Sequence, residues 1–217
     1  MKLLFYPETE SLLKEADIPL VPGKLVSSEK EAFEAAEEIG FPVVLKLVST
    51  AIVHKNQIGG VILNIINQEE LKKACKDLFN KGKTLCEPKE KWGVLVQKMI
   101  NETLEVVIGA YRDKSFGPII MFGLGGIFVE ILKKVSFRLL PLEPEDIEEM
   151  IEETKLDQLL KTHVKNPSIR EGLITIISNL SNLFLSKPEI KEVDFNPVFI
   201  GKSGCFVADA KIIVFPG

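Results

Sequence analysis

The hydrophobic pattern of this chain changes near residue 92, and that change constrains the fold more than any other feature. Before it, helical and strand-like periods follow one another. Ser28 with Glu31 three residues on reads as a capping box. It opens a helix with Ala32, Phe33, Ala35, Ala36 and Ile39 inward, stopped by Gly40 and Pro42. Val43 to Val48 reads as a strand, residues 49–59 as a polar loop, and Gly60 to Ile66 as a second strand. Asn67 and Glu70 repeat the capping signal before a helix with Leu71, Ala74, Leu78 and Phe79 on one face.

A charged loop, Lys81 to Lys91, separates this part from the next. There Gly93–Met99, Leu104–Arg112, Gly117–Phe122 and Phe128–Leu132 are short, β-branched and closely spaced, as in an antiparallel sheet. Helices follow over Glu143–Glu153 and Ser168–Ser186, then two strands, around Val193 and over Phe206–Val214. Helices and strands mix without strict alternation, so the expected class is α+β in two lobes, residues 1–92 and 93–217, with the seam near residues 92–100.

Composition excludes several function classes. Hydrophobic residues make up 46% of the 217, enough for a buried core. A net charge of −4 leaves no basic footprint for nucleic acid and no polybasic anchor for lipid. Met1–Pro7 is too short in its apolar part for a signal peptide. The most apolar stretch, Gly117–Leu132, is broken by glycines and by Glu130, which argues against a spanning helix. Cys75, Cys86 and Cys205 form no close pair, so a reducing cytoplasm is the expected setting.

Three clusters carry chemistry. Lys46 sits mid-strand in an apolar run, where a buried ammonium calls for an anion such as phosphate. With it come Ser49, His54, Lys55, Gly59 and Gly60, a loop able to turn N–H groups and positive charge toward phosphates. An edge strand with a snorkelling lysine fits the same residues. Gly123-Leu124-Gly125-Gly126 is neither a Rossmann fingerprint nor a Walker loop; it marks a tight turn or a close backbone approach. Asn196 in Glu192-Val193-Asp194-Phe195-Asn196-Pro197, and Asp209 beyond the Gly201–Gly204 turn, would lie side by side in a hairpin. One amide oxygen and one carboxylate suit Mg²⁺, although Asx residues beside proline also simply make turns.

In their order these segments resemble the ATP-grasp β subunits of ADP-forming acetyl-CoA synthetases, relatives of succinyl-CoA ligase. The likeness runs through Phe41–Ser49, His54-Lys55, Gly59-Gly60-Val61, Glu105–Gly109, Arg112-Asp113 and Phe116-Gly117-Pro118. It continues through Met121–Leu132, Ser136-Phe137-Arg138, Asp194–Pro197 and Asp209-Ala210. The resemblance implies an ATP-grasp fold whose two lobes clasp ATP or ADP. It implies that Lys46 holds phosphates, that Gln97, Lys98, Met99 and Ile100 take the adenine at a hinge, that Glu105 faces the nucleotide, and that Asn196 and Asp209 carry Mg²⁺. His54 would be a carrier or acceptor in a phosphohistidine relay, for which a neutral imidazole beside Lys55 is chemically suited.

The implied partner is an α subunit with the CoA-binding domain, in an α2β2 assembly. His163, without such neighbours, reads as a surface residue. Departures from the family pattern fall at Asn56-Gln57, at Lys134 where aspartate is usual, and at residues 161–166. Another ATP-grasp carboxylate ligase working through acyl phosphate, or a nucleotide-sensing subunit without catalysis, remains compatible with the same residues.

Overall fold

The computed structural model describes residues 1–52, 55–101, 104–126, 134–156, 158–159 and 168–216. The expected strand over Phe128–Leu132, with Glu130, and the positions of His54, His163 and residues 161–166 lie outside the described residues.

Among these residues the strands form two antiparallel sheets. The first has four strands in the order β2-β5-β3-β4: β2 is Gly23–Val26, β3 Val43–Ser49, β4 Val61–Ile65 and β5 Trp92–Lys98. Two helices cover one face, α2 over Glu29–Ile39 and α3 over Gln68–Leu85. Their core takes Ala32, Ala35, Leu71 and Leu78 from the helices, with Val43, Leu45, Leu47, Val94 and Val96 from the strands.

Both helix starts follow the sequence signals. The Ser28 hydroxyl accepts from the Glu31 N–H at 3.3 Å, and the Asn67 side chain accepts from the Glu70 N–H at 2.9 Å. The returning carboxylates reach one residue further back than a capping box predicts. Glu31 accepts from the Ser27 N–H and Glu70 from the Ile66 N–H. The bonds from Ser27 hold the Glu31 carboxyl below its ordinary value.

The second sheet runs β1-β11-β9-β6-β7-β8, with β10 also on β9. Here β1 is Lys2–Leu3, β6 Leu104–Asp113, β7 Gly117–Leu124 and β8 Val135–Leu139. The last three are β9 over Ile190–Gly201, β10 over Gly204–Val207 and β11 over Ala210–Val214. Helix α1 spans Tyr6–Glu15, α4 Pro144–Glu153 and α5 Ser168–Ser186. As the periodicity predicts, Ile169, Leu173, Ile176, Ile177, Leu180 and Phe184 are all buried.

The sequence division at residue 92 differs from the structural one. β5 belongs with the first sheet, paired along one edge with β2 and along the other with β3, and Gly93–Gln97 is buried there. One compact unit is Leu3–Glu8 with Val21–Ile100, and the other is Met1–Lys2, Thr9–Leu20 and Asn101–Gly217.

Two of the matched charges are structural. Arg112 donates to the carbonyls of Phe184 (2.6 Å), Ile190 (2.8 Å) and Lys187 (3.2 Å), and lies 4.5 Å over the Phe184 ring. It thereby closes the C-terminal end of α5, where a cation meets the helix dipole. Arg138 on β8 pairs with Glu149 and Glu153 of α4, and Ser136 donates to Glu153 as well. Those bonds, Arg138 first, hold the Glu153 carboxyl low. Lys134, the charge reversal, has its ammonium pushed down by burial and then by neighbouring Lys155.

The three thiols are free. Burial, then Glu29, pushes Cys75 up to about 11, and burial pushes Cys205 up to about 12. Since the thiolate is the nucleophile, a thiol reagent at pH 8 is expected to label half-buried Cys86 in the native chain. Cys75 and Cys205 should react only in denaturant; equal native labelling at all three would contradict this packing.

Candidate functional site

Lys46 lies in the middle of β3, opposite Leu95 of β5 and Val61 of β4. Only 8% of it is exposed. Val43, Leu45 and Leu47 point into the α2–α3 core, so strand alternation turns Lys46 to the other face. Val44, Leu95 and Gln97 share that face through the unbroken register of β3 with β5.

Alternation also separates two residues that the sequence grouped together. Ser49 is three positions on and therefore on the helix side, paired with Trp92. Its hydroxyl accepts from the Ala51 N–H at 3.1 Å and closes the turn that leaves β3.

The loop after β3 is stitched by its backbone. Gly60 N–H donates to Lys55 O at 2.7 Å, Gly59 N–H to Asn56 O at 3.1 Å, and Leu47 N–H to Gly60 O at 2.7 Å. Gly59 has φ +60°, and a Cβ on Gly60 would stand 2.9 Å from the Lys55 carbonyl oxygen. Both glycines are thus required by the turn itself. Lys81 of α3 ties the loop down by donating to Gly59 O at 2.8 Å while pairing with Asp77. Lys55 is half-buried at the base of this turn, and its neighbour His54 lies outside the described residues.

The segment proposed as a hinge is occupied by internal bonds. Gln97 is 2% exposed and its side-chain amide donates to Val21 O at 3.3 Å. Lys98 N–H donates to Pro22 O, and Met99 N–H to Pro42 O. The Lys98 ammonium donates to Ile39 O and Gly40 O, closing α2. Met99 and Ile100 follow, half-buried.

In the other unit, Asn196 and Asp209 stand opposite each other. The Asn196 N–H donates to Asp209 O at 3.0 Å, and the Ala208 N–H to Pro197 O at 3.0 Å. The sequence reads Phe206–Val214 as one strand, but the structure breaks it at Ala208-Asp209. The cause is β9, where Val106 pairs with Val198 but Ile108 pairs with Phe195. Asn196 and Pro197 therefore oppose the single residue Val107, a β-bulge. Core-facing positions change parity across it, from Val193 and Phe195 to Val198 and Ile200. Asn196 is consequently exposed and Asp209 half-buried at the interruption.

Asp194, which the sequence quotes only within its motif, joins this neighbourhood. It pairs with Lys211 across β9 and β11, with 3.6 Å between Nζ and Oδ2. Burial foremost, and then the charge of Asp209, hold its carboxyl above the ordinary aspartate value, against the pull of Lys211. Negative charge thus accumulates where Asn196 and Asp209 meet, an environment that favours a cation with oxygen donors. A cavity of about 420 Å³ lies along the same strand, lined by Gly109, Tyr111, Met121, Glu192 and Asp194 among others. Among the described residues no cluster of three His, Cys, Asp or Glu could hold a metal. What is present is a pair of oxygen donors, the Asn196 amide and the Asp209 carboxylate, at the interruption between β10 and β11.

Glu105 is half-buried on β6, opposite Phe199. Gly125-Gly126, at the end of β7, packs against it, with the Gly125 N–H donating to Glu105 O at 2.7 Å.

A two-sheet α+β chain with a buried strand lysine on one sheet and an amide–acid pair on the other has the parts of an ATP-grasp domain, and residues 1–214 match the ATP-grasp domain family. The chain belongs to that family, in the branch of the ADP-forming acetate–CoA ligase β subunits. It is 42% identical to the β subunit of acetate–CoA ligase [ADP-forming] I of Pyrococcus furiosus, covering 97% of this chain and 91% of that one. It is 39% identical to acetate–CoA ligase [ADP-forming] II of Archaeoglobus fulgidus, covering 98% of this chain but 30% of that longer protein. Among solved structures it is similar to the dinucleotide-forming acetyl-coenzyme A synthetase 1 of Ca. Korarchaeum cryptofilum in complex with coenzyme A, Ca-AMPCP and HgCl+. That likeness has a TM-score of 0.88 and 38% identity, and covers 99% and 94% of the two chains.

The raised Asp194 carboxyl has a consequence for stability. The folded chain binds a proton there more readily than the unfolded chain, whose value is about 3.9. Stability is therefore lost as pH rises from that value through the folded one. Asp194→Asn is expected to raise Tm at pH 7, with the difference closing as pH falls toward about 4. Thermal unfolding across this range checks it, and a lower Tm at pH 7 would contradict the burial argument.

Proposed function

We propose that this chain is the nucleotide-binding β subunit of an ADP-forming acyl-CoA synthetase, an acid–thiol ligase. The net reaction is acyl-CoA, ADP and phosphate giving acid, CoA and ATP. The observation that carries this reading is likeness along almost the whole chain to a β subunit of that activity, 42% identical over 212 residues.

The residues have separable tasks. Lys46, nearly buried on its strand, supplies a fixed positive charge for nucleotide phosphates, worth more there than in water. Lys55 and the Gly59-Gly60 turn add charge and backbone donors beside it. Gln97, Lys98, Met99 and Ile100 form the adenine edge; the side chains of Gln97 and Lys98 and the N–H groups of Lys98 and Met99 already serve the fold, which leaves the other backbone groups of the segment for the base. Glu105 cannot sit beside phosphate without repulsion; a carboxylate accepts from hydroxyls, so its place is beside the sugar. Asn196 and Asp209 would hold Mg²⁺, which would offset the charge of the phosphates. His54 takes the phosphoryl group in a relay from a histidine of the partner subunit to ADP, its imidazole acting as nucleophile.

Partner and setting follow from the same family. The A. fulgidus relative is one long chain of which this chain spans 30%, whereas the P. furiosus relative is a separate β subunit. An α subunit supplying the CoA-binding part, in an α2β2 assembly, fits that division. Free thiols fit a reducing cytoplasm, and no described helix is long and apolar enough to cross a membrane.

The test is reconstitution. The purified chain and its α subunit, with acetyl-CoA, ADP, phosphate and Mg²⁺, should form ATP. Lys46→Ala should lower kcat/KM for ADP by about a hundredfold, the loss of a charge-assisted contact to phosphate. His54→Ala should abolish ATP formation and the labelled phosphohistidine on this chain. An intact complex that makes no ATP from any common acyl-CoA refutes the assignment. Full turnover by His54→Ala points instead to a ligase using acyl phosphate directly.

A further inference from the structure

The glycine pair Gly125-Gly126 lies directly against Glu105, backbone and side chain alike. A Cβ on Gly125 would stand 3.0 Å from the carbonyl carbon and Cβ of Glu105. On Gly126 it would stand 3.0 Å from Glu105 Oε2 and 3.2 Å from Cδ. At these distances the neighbour must give by a few tenths of an ångström, and at Gly126 the neighbour is the carboxylate itself. Gly126 also has φ +58°, where side chains are disfavoured. The turn is fastened to the same residue, because the Gly125 N–H donates to Glu105 O at 2.7 Å. Across β6 the register places Phe199 opposite Glu105. Glu105 thus has the bare glycine turn on one flank and an aromatic residue at the paired position on the other.

We propose that Gly125-Gly126 is a positioning element that fixes the Glu105 carboxylate, and through it sets the preference of the site for nucleotides with an intact ribose. This rests on the reading of Glu105 as the group beside the sugar. The turn touches no phosphate and performs no chemistry in this proposal. It holds an acceptor in one place, so that two hydroxyls can donate to it without first ordering a long side chain, which lowers the entropy cost of binding.

The experiment titrates Mg-ADP and Mg-2′-deoxy-ADP into the full chain by calorimetry. The wild-type chain should prefer ADP by about tenfold, the size of one charged hydrogen bond. Gly126→Ala should remove most of that preference by weakening ADP alone. Gly117→Ala is the control: its backbone is also left-handed, φ +84°, but a Cβ there meets nothing within 4 Å, so the preference should survive. Glu105→Ala should abolish the preference, and adding Gly126→Ala to it should change nothing further. If Gly126→Ala does not fold, Gly126→Asn carries the Cβ on a residue that tolerates this backbone.

Equal weakening of both nucleotides by Gly126→Ala, or additive losses in the double variant, would overturn the positioning role. An unchanged preference in Gly126→Ala, with Glu105→Ala still losing it, would overturn the glycine turn alone. An unchanged ADP affinity in Glu105→Ala would overturn the reading of Glu105 as a nucleotide contact, and a wild-type chain that binds neither nucleotide would overturn the assignment of the site.

Discussion

The larger unit depends on one mismatch in β9, the one that faces β6. Asn196 and Pro197 occupy the space opposite one residue of β6, and the interruption passes to the other edge, where β10 ends and β11 begins. A regular strand would alternate strictly, so Asn196 would share one side with Asp194 and Val198, and Val198 would leave the core. The bulge lets Val193, Phe195, Val198 and Ile200 all remain buried while Asn196 stays exposed. It also leaves Asp209 between β10 and β11, where its carbonyl accepts from Asn196. Core packing and the exposure of two oxygen donors are thereby satisfied by the same irregularity.

Charged residues that look alike in the matched motifs divide into two physical groups. Arg112, Lys98 and Lys81 direct their charge at backbone carbonyls at helix ends or turns, and Arg138 at the carboxylates of α4. These bonds join elements far apart in sequence and stabilise the units. Lys46 and Asp194 are different, because each is taken out of water within a sheet. Burial of that kind opposes folding, and it holds the Asp194 carboxyl above its ordinary value. Lys46 is itself the residue proposed for phosphate, and Asp194 lies two residues from Asn196 of the pair proposed for metal.

Some of this was legible in the sequence because it depends on neighbours within a few residues. The helix starts at Ser28 and Asn67, the buried stripe of α5, and the strand around Lys46 follow from capping atoms and from the periods of helix and strand. The pairing of Asn196 with Asp209 was also within reach, since a short glycine turn brings them together. The grouping of Ser49 with Lys46 was not supported, because nearness in sequence hides the alternation that puts them on opposite faces.

The sequence by itself determined the two-unit α+β plan, the candidate phosphate lysine and the candidate metal pair, since local periodicity and residue chemistry are carried by the chain. Only the tertiary structure decided that β5 is an inner strand of the first sheet, that residues 9–20 belong with the second unit, and that Lys98 closes a helix. It alone revealed the half-buried Asp194 beside Lys211 and the glycine turn against Glu105. Strand order, register and close approach arise from contacts between distant segments, and no window of sequence contains both partners of such a contact.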